Sequence, residues 1–141
     1  VLDRVDFRVC DATAYDELLT LRQEKPFDKA VANMAVMDIS DIEPLFQAMY
    51  DMLKKGGFFV FATHHPCFTY PNDDYFTDQT YLGEAVQGQP VQQNYYHRSM
   101  QEILNMAFRH GFILNGFYEV PFPEQKIPIL MIARLRKEQV S

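Results

Sequence analysis

The sequence predicts an α/β fold built on a parallel β-α-β unit and closed by an antiparallel hairpin. Two apolar runs, at residues 30–37 and 58–62, predict strands that are buried on both faces of a sheet. The residues between them carry an apolar side chain at every third or fourth position, which is typical of a helix with one buried face. Residues 112–120 and 127–135 are two further strand-like segments, close enough in sequence to pair antiparallel.

The first 26 residues predict one strand and one short helix. Apolar and polar side chains alternate over residues 5–9, which predicts a strand that ends in the loop 10–12. Thr13 and Asp16 have the spacing of a helix-capping pattern, and Pro26 ends the short helix that follows.

The helix of the β-α-β unit has a signal at each end. Ser40 and Glu43 form a capping box at its start, since a serine or threonine followed three residues later by glutamate satisfies free backbone N–H groups. Lys54 and Lys55 suit the negative end of the helix dipole, and the glycine pair 56–57 predicts its end. Its apolar face consists of Ile42, Leu45, Phe46, Met49, Tyr50 and Leu53.

Residues 68–96 have no sustained period and are rich in tyrosine, glutamine, asparagine, glycine and proline. A structureless loop of this length in a compact domain is usually a lid, a binding loop or a disordered stretch. After it, Ser99 and Glu102 form another capping box, and Gly111 predicts the end of that helix.

Composition excludes several classes of protein. The chain of 141 residues is long enough for one domain, and its net charge of −6, without any lysine or arginine run, argues against nucleic acid as a partner. Apolar runs of about seven residues are too short to cross a membrane. Two cysteines and no visible signal peptide predict a cytoplasmic protein, and the first residue, Val1, suggests a fragment.

Four stretches in this order carry a resemblance: FDKAVANMAVMDI, LKKGGFFVF, HHPCF and YYHRSMQEILNMAFRHGF. The chain resembles the C-terminal part of class I S-adenosylmethionine-dependent methyltransferases, and HPCF and YYHRS resemble a small-molecule subgroup. The resemblance covers nearly the whole chain, and the order and spacing of the motifs carry it.

The resemblance implies a three-layer Rossmann-like sheet, present here from its third to its seventh strand, with the hairpin at one edge. Residues 1–141 would then be a partial methyltransferase domain, and 68–96 its long substrate-side loop. It implies S-adenosylmethionine as cofactor and a small organic molecule as methyl acceptor. Asp11 and Ala12 would lie near the cofactor adenine, and the pair Asn33 and Met34 beside its methionine part and the transferred methyl.

The chain departs from the family pattern in one serious respect. It has no glycine-rich loop after a first strand and no acidic residue ending a second strand, the two features that hold the methionine part and the ribose in that family. Its sheet would also lack the central strands. Because open strand edges pair readily with other chains, we expect the chain either to form a homodimer through the exposed edges or to refold its first strand.

The stretch THHPCFTY follows a parallel strand, so it is expected at the carboxyl end of the sheet, where α/β proteins bind ligands. The resemblance makes His64 or His65 a substrate-pocket residue or general base. A metal site would add Cys67 and His97 to these donors, although the spacing matches no compact zinc pattern. A Cys67 nucleophile and a plain hydrogen-bonded histidine at a strand end are the other interpretations.

Tyr70, Tyr95 and His97 are the predicted substrate-binding residues of a lid, and the alternative is that they pack the long loop onto the sheet. Two other functions stay open. One is a non-catalytic fragment or pseudo-enzyme that binds no cofactor. The other is a different nucleotide-binding α/β enzyme, such as a nicotinamide-dependent oxidoreductase, which the terminal antiparallel hairpin disfavours.

Overall fold

The computed structural model describes residues 4–69, 74–124 and 126–138. The helices are α1 (Tyr15–Leu19), α2 (Glu43–Met52), α3 (Pro66–Thr69) and α4 (Met100–Arg109), and a 3-10 turn spans Val36–Asp38. The strands are β1 (Phe27–Asn33), β2 (Leu53–His64), β3 (Gln79–Gly83), β4 (Gln93–His97), β5 (Phe112–Pro121) and β6 (Pro128–Lys137).

Four strands form the main sheet, in the order β1-β2-β6-β5. β1 and β2 are parallel, whereas β6 is antiparallel to both of its neighbours. The predicted α/β class and the predicted C-terminal antiparallel hairpin are therefore confirmed. β3 and β4 pair antiparallel as a separate two-stranded sheet.

The core lies between one face of the main sheet and the helices. Phe59 and Phe61 point to this face from β2, and both meet Phe46 of α2 edge to face, with ring centroids 5.5 and 5.6 Å apart. Apolar residues of α1 and α4 belong to the same buried cluster. An aromatic ring so buried removes a large apolar area from water, so the Phe46 contacts fix α2 on the sheet.

The start of α2 is close to the prediction, but its end is not. Asp41 Oδ1, rather than Ser40, accepts the hydrogen bond from the backbone N–H of Glu43, at 3.0 Å. β2 begins directly after the helix, so residues 54–57 lie in the strand instead of closing the helix. The cation at the helix end is Lys137 of β6, whose Nζ donates to the carbonyl oxygens of Tyr50 and Leu53 at 2.6 and 3.0 Å.

The predicted strand at residues 5–9 does not form. Phe7 and Val9 are 82% and 103% exposed, and none of the described strands pairs with this segment. The alternation of side chains is present, but a strand is stable only when a neighbour takes up its backbone hydrogen bonds and covers its apolar face.

β1 is an edge strand rather than one buried on both faces. It ends at Asn33, because Met34 turns the chain with a φ of +53°, and Val31 is 72% exposed. The described helices α1, α2 and α4 share the Phe59 and Phe61 face of the sheet. Among the described residues, two layers of the expected three are therefore present.

The segment predicted as a structureless loop contains the β3–β4 hairpin. Tyr81 lies opposite Tyr95 in this hairpin, and their rings are 5.5 Å apart. Aromatic cross-strand pairs of this kind stabilise antiparallel strands. The hairpin's last strand leads directly to Ser99, whose Oγ accepts from the N–H of Glu102 at 3.2 Å, as the capping box predicts.

Candidate functional site

The carboxyl ends of β1 and β2 meet at one edge of the main sheet. Asn33 is paired with Ala62, and the N–H of Met34 donates to the Ala62 carbonyl at 2.8 Å. His64 ends β2 two residues later. The structure therefore brings the predicted cofactor residues Asn33 and Met34 and the predicted catalytic residue His64 to the same edge.

His64 is half-buried among aromatic rings. Its ring centroid is 5.4 Å from that of Tyr95 and 6.1 Å from that of Phe68. Within the described part of the chain its Nδ1 is buried and has no hydrogen-bond partner. Burial lowers the pKa of His64, and the nearby Asp38 opposes part of that effect. The ring is therefore a neutral base near neutral pH.

Asp38 is the acidic residue at this edge, at the end of the 3-10 turn that follows β1. Its Oδ1 accepts from Nε2 of Gln93 in β4, at 3.2 Å. Partial burial raises the pKa of Asp38, while His64 and the Gln93 hydrogen bond lower it. Asp38 is not among the predicted site residues, although its place just after a parallel strand is a signal for the ligand-binding edge.

His65 points away from His64 and is fully hydrogen-bonded. Its Nδ1 accepts from the backbone N–H of Cys67 at 3.1 Å, so the proton lies on Nε2, which donates to Glu119 of β5 at 2.9 Å. The ring thus fastens the end of β2 to the C-terminal hairpin. This geometry favours His64 over His65 as the general base.

Cys67 has the environment of a packed thiol. Its Sγ lies 3.6 Å from the Pro128 carbonyl oxygen, and burial, with a smaller contribution from Glu119, raises its pKa. A raised pKa disfavours the thiolate that a nucleophile or a metal ligand requires. In the described ranges, no group of three or more histidine, cysteine, aspartate or glutamate side chains is placed to hold a metal ion.

The predicted substrate residues fall in different environments. His97 is 1% exposed, and its ring nitrogens lie 3.1 Å from Thr69 Oγ1 and 2.9 Å from the Tyr75 carbonyl oxygen. It therefore fastens α3 and the chain around Tyr75 to β4. Tyr95 is buried between the rings of His64 and Tyr81. Tyr70 lies outside the described residues.

Arg98 is a residue of this region that the sequence did not single out. Its Nη2 donates to the carbonyl oxygens of Ile39 and Ser40 at 2.8 and 2.6 Å, which fastens the hairpin to the turn after β1. Together with His64 and others it lines a cavity of about 10 Å³, roughly the room of a single water molecule.

Asp11 and Ala12 are in the turn before α1. Asp11 Oδ1 accepts from both the N–H and the Oγ1 of Thr13, at 2.8 Å each, and these hydrogen bonds lower its pKa. The carboxylate is exposed. No hydrogen bond, ion pair or ring contact in the described ranges connects it with Asn33 or His64, so the structure does not join this half of the predicted cofactor site to the other.

No helix among the described residues has the length and apolar character needed to cross a membrane.

Comparison with solved structures identifies the fold. A protein of Listeria monocytogenes, described as an S-adenosylmethionine-dependent methyltransferase, superposes with a TM-score of 0.69 at 18% identity, over 83% of this chain and 64% of that one. An S-adenosylmethionine-dependent methyltransferase of Mesorhizobium loti gives 0.63 at 20% identity, over 84% of this chain and 66% of its own. The 1,6-didemethyltoxoflavin-N1-methyltransferase of Burkholderia thailandensis gives a TM-score of 0.60 at 16% identity, over 86% of this chain and 48% of its own.

These similarities show that the chain has the class I S-adenosylmethionine-dependent methyltransferase fold. The chain spans less than two thirds of the length of each of these solved proteins. No protein-family model matches the sequence, and no curated protein matches it.

Proposed function

We propose that this chain provides the substrate-side part of a domain that transfers a methyl group from S-adenosylmethionine to a small organic acceptor. One observation carries the proposal: Asn33, Met34 and His64 meet at the carboxyl edge of a parallel strand pair, beside the β3–β4 hairpin, in a fold shared with solved methyltransferases. Ligands of open α/β sheets bind at such edges.

The residues at the end of β1 fit one side of the cofactor. Asn33 is exposed, and its side-chain amide makes no hydrogen bond within the described residues, so it is free to bind a polar ligand. Met34, with its φ of +53°, turns the chain directly after Asn33, at the carboxyl end of β1. When bound there, S-adenosylmethionine would supply an electrophilic sulfonium methyl group.

The names of the neighbours support the same cofactor and a small acceptor. The Burkholderia protein was solved with 1,6-didemethyltoxoflavin and S-adenosylhomocysteine, and another neighbour, at 9% identity, is a glycopeptide N-methyltransferase complexed with S-adenosylmethionine. For the chain described above, Asn33 and Met34 would contact the cofactor. Asp11 and Ala12 remain candidates for its adenine.

On the side of the site that would hold the methyl acceptor, His64 is the proposed general base. Its Nδ1 is buried and has no partner in the described ranges, whereas both ring nitrogens of His65 are engaged and those of His97 face Thr69 and Tyr75. A general base accepts the proton of the substrate directly or through one water molecule, and the cavity that His64 lines has room for one water. His65 and His97 then position the strand end and the hairpin around the site.

A calorimetric titration of the chain with S-adenosylhomocysteine tests the cofactor part. We expect micromolar binding that Asn33→Ala weakens about tenfold, as for the loss of one good hydrogen bond. The matched control is Asn105→Ala on the exposed side of α4, which should bind like the wild type. A folded sample without measurable binding contradicts the proposal.

The second candidate is a non-catalytic protein that has this fold and no affinity for the cofactor. It is favoured by the position of Asp11, which no described contact joins to Asn33. This second candidate is supported if S-adenosylhomocysteine gives no heat of binding in a sample that circular dichroism shows to be folded.

We also propose that the β1 edge pairs with a second copy of the chain. Among the described strands β1 pairs only with β2, so its other side has a row of backbone hydrogen-bonding groups without a strand partner. Val31 of β1 is largely exposed, and an apolar groove of about 250 Å³ follows the same strand. Light scattering should show a dimer that Val31→Lys weakens. A wild-type monomer at all concentrations contradicts this assembly.

A further inference from the structure

The site beside His64 carries a negative charge without a cation to balance it. In the described ranges Asp38 makes one hydrogen bond, from the neutral amide of Gln93, and no ion pair. His64 is the ionisable neighbour that lowers the pKa of Asp38, but its own burial disfavours its charged form. The pair therefore has a net charge of about −1 near neutral pH.

Arg98 does not supply the missing charge. Its guanidinium is directed at the carbonyl oxygens of Ile39 and Ser40. The carboxylates that interact with its charge are Asp78, Asp41 and Glu102, and Asp38 is not among them. Glu102 is also paired with Arg109, at 3.1 Å, so Asp78 and Asp41 are the two carboxylates that face Arg98 without another ion pair in the described ranges. Arg98 therefore has no positive charge to spare for Asp38.

Four aromatic rings near Asp38 form one connected group. Tyr81, Tyr95, His64 and Phe68 are in successive ring contact, with centroids 5.4 to 6.1 Å apart, and we call them the aromatic cluster. Phe68 is 45% exposed and Asp38 is also exposed, so a ligand can reach both from solvent. A carboxylate next to aromatic faces is the combination that attracts a cation.

We propose that the methyl acceptor is a small amine, held in its cationic form by Asp38 and the aromatic cluster and deprotonated by His64. The inference rests on the proposed methyl transfer and adds the chemical class of the acceptor. A carboxylate acceptor is repelled by Asp38, and a neutral alcohol gains nothing from it.

The proton and electron balance of the reaction fits these two side chains. The bound ammonium gives one proton to His64, and the lone pair thus freed forms the N–C bond as the S–C bond of the donor breaks. The sulfur keeps the electron pair of that bond, and the methylated nitrogen keeps a positive charge. His64 then releases its proton to solvent, so one proton leaves per methyl transferred.

The chemical class can be tested with three probes that share a phenyl ring on a two-carbon chain and differ in the polar group: phenethylamine, 2-phenylethanol and 3-phenylpropionate. Each is titrated at pH 7.5 into isotopically labelled chain, and shifts are followed by NMR at the rings of His64, Tyr95 and Phe68. We expect the amine to bind about tenfold more tightly than the acid. Its N–H should also move the resonance of the unprotonated His64 ring nitrogen upfield.

Two matched variants locate the charge. Asp38→Asn should lower the affinity for phenethylamine about fivefold, which is the effect of losing one partly exposed ion pair. The affinity for 2-phenylethanol should not change. The control Asp16→Asn, at an exposed carboxylate of α1, should change neither of these two affinities. Equal or tighter binding of 3-phenylpropionate, or an amine affinity that Asp38→Asn does not alter, overturns the proposal.

The S-adenosylhomocysteine titration on the same sample separates the two proposals. A chain that binds S-adenosylhomocysteine but prefers the acid keeps the methyl transfer and overturns the amine assignment. A chain that prefers the amine through Asp38 without binding S-adenosylhomocysteine supports the amine site and contradicts cofactor binding by this chain.

Discussion

Replacement of His97 by phenylalanine would remove the link between three parts of the structure. The imidazole is 1% exposed and lies between the Thr69 hydroxyl and the Tyr75 carbonyl oxygen, at 3.1 and 2.9 Å. Phenylalanine fills a similar volume but offers no polar atom. His97→Phe therefore removes the hydrogen bonds of the imidazole to this hydroxyl and this carbonyl, while the apolar packing is largely kept.

The expected loss follows from these two hydrogen bonds. One intramolecular hydrogen bond contributes about 0.5–1.5 kcal/mol to stability, so the two together give about 1–3 kcal/mol. This is a large part of the stability of about 5–15 kcal/mol that is typical of a domain. His97→Gln, which keeps one amide near the Tyr75 carbonyl, should lose about half as much.

Urea unfolding followed by circular dichroism measures the difference. His110→Phe is the matched control. Nε2 of His110 makes no hydrogen bond in the described ranges, and its contact with the exposed Glu43, at 3.6 Å, is of the kind that contributes little, so its removal should cost little. In a double-mutant cycle, Thr69→Val should cost less in the His97→Phe background than in the wild type. A loss below about 1 kcal/mol for His97→Phe, or full additivity with Thr69→Val, would refute this structural role for His97.

Three further predictions concern the helix ends and pH. Ser99→Ala removes the capping hydrogen bond of α4 and should lower the free energy of unfolding by about 1 kcal/mol, measured in urea. Gly111→Ala places a Cβ 3.0 Å from the Tyr50 hydroxyl, at a residue whose φ of +92° disfavours any side chain. The Tm of this variant should therefore fall, and an unchanged Tm would contradict the expected strain. Because the pKa of His64 is lowered from 6.5, the stability it contributes is complete above pH 6.5 and is lost as the pH falls below it. His64→Phe should flatten that part of the pH–stability curve.

Local signals in the sequence predicted the later part of the fold well. The Ser99 capping box and the end of the helix at Gly111 are confirmed, because a cap depends on atoms a few residues apart. The strand predicted at residues 5–9 has the right alternation, but no described strand pairs with it. The end of α2 was misplaced because its stabilising cation, Lys137, comes from a distant strand.

The candidate site was predictable only in its position. A polar cluster after a parallel strand indicates the ligand-binding edge, and His64 and Asn33 do meet there. The different roles of His64, His65 and His97 could not be predicted from the sequence, because they depend on hydrogen-bond partners that are distant in sequence. Glu119 lies 54 residues from His65 and the Tyr75 carbonyl 22 residues from His97. The sequence also gave no sign that the long loop folds into a hairpin over residues 79–97.

The position of β6 has a consequence for how the chain is made. β6 is the last strand in the sequence, yet it lies between β2 and β5 in the sheet. During synthesis β5 therefore has no place on the sheet until residues 128–137 have emerged and inserted. Until then the side of β2 that will pair with β6 exposes its backbone groups, as a strand edge open to other nascent chains. A ribosome that stalls between β5 and β6 would thus release an aggregation-prone intermediate.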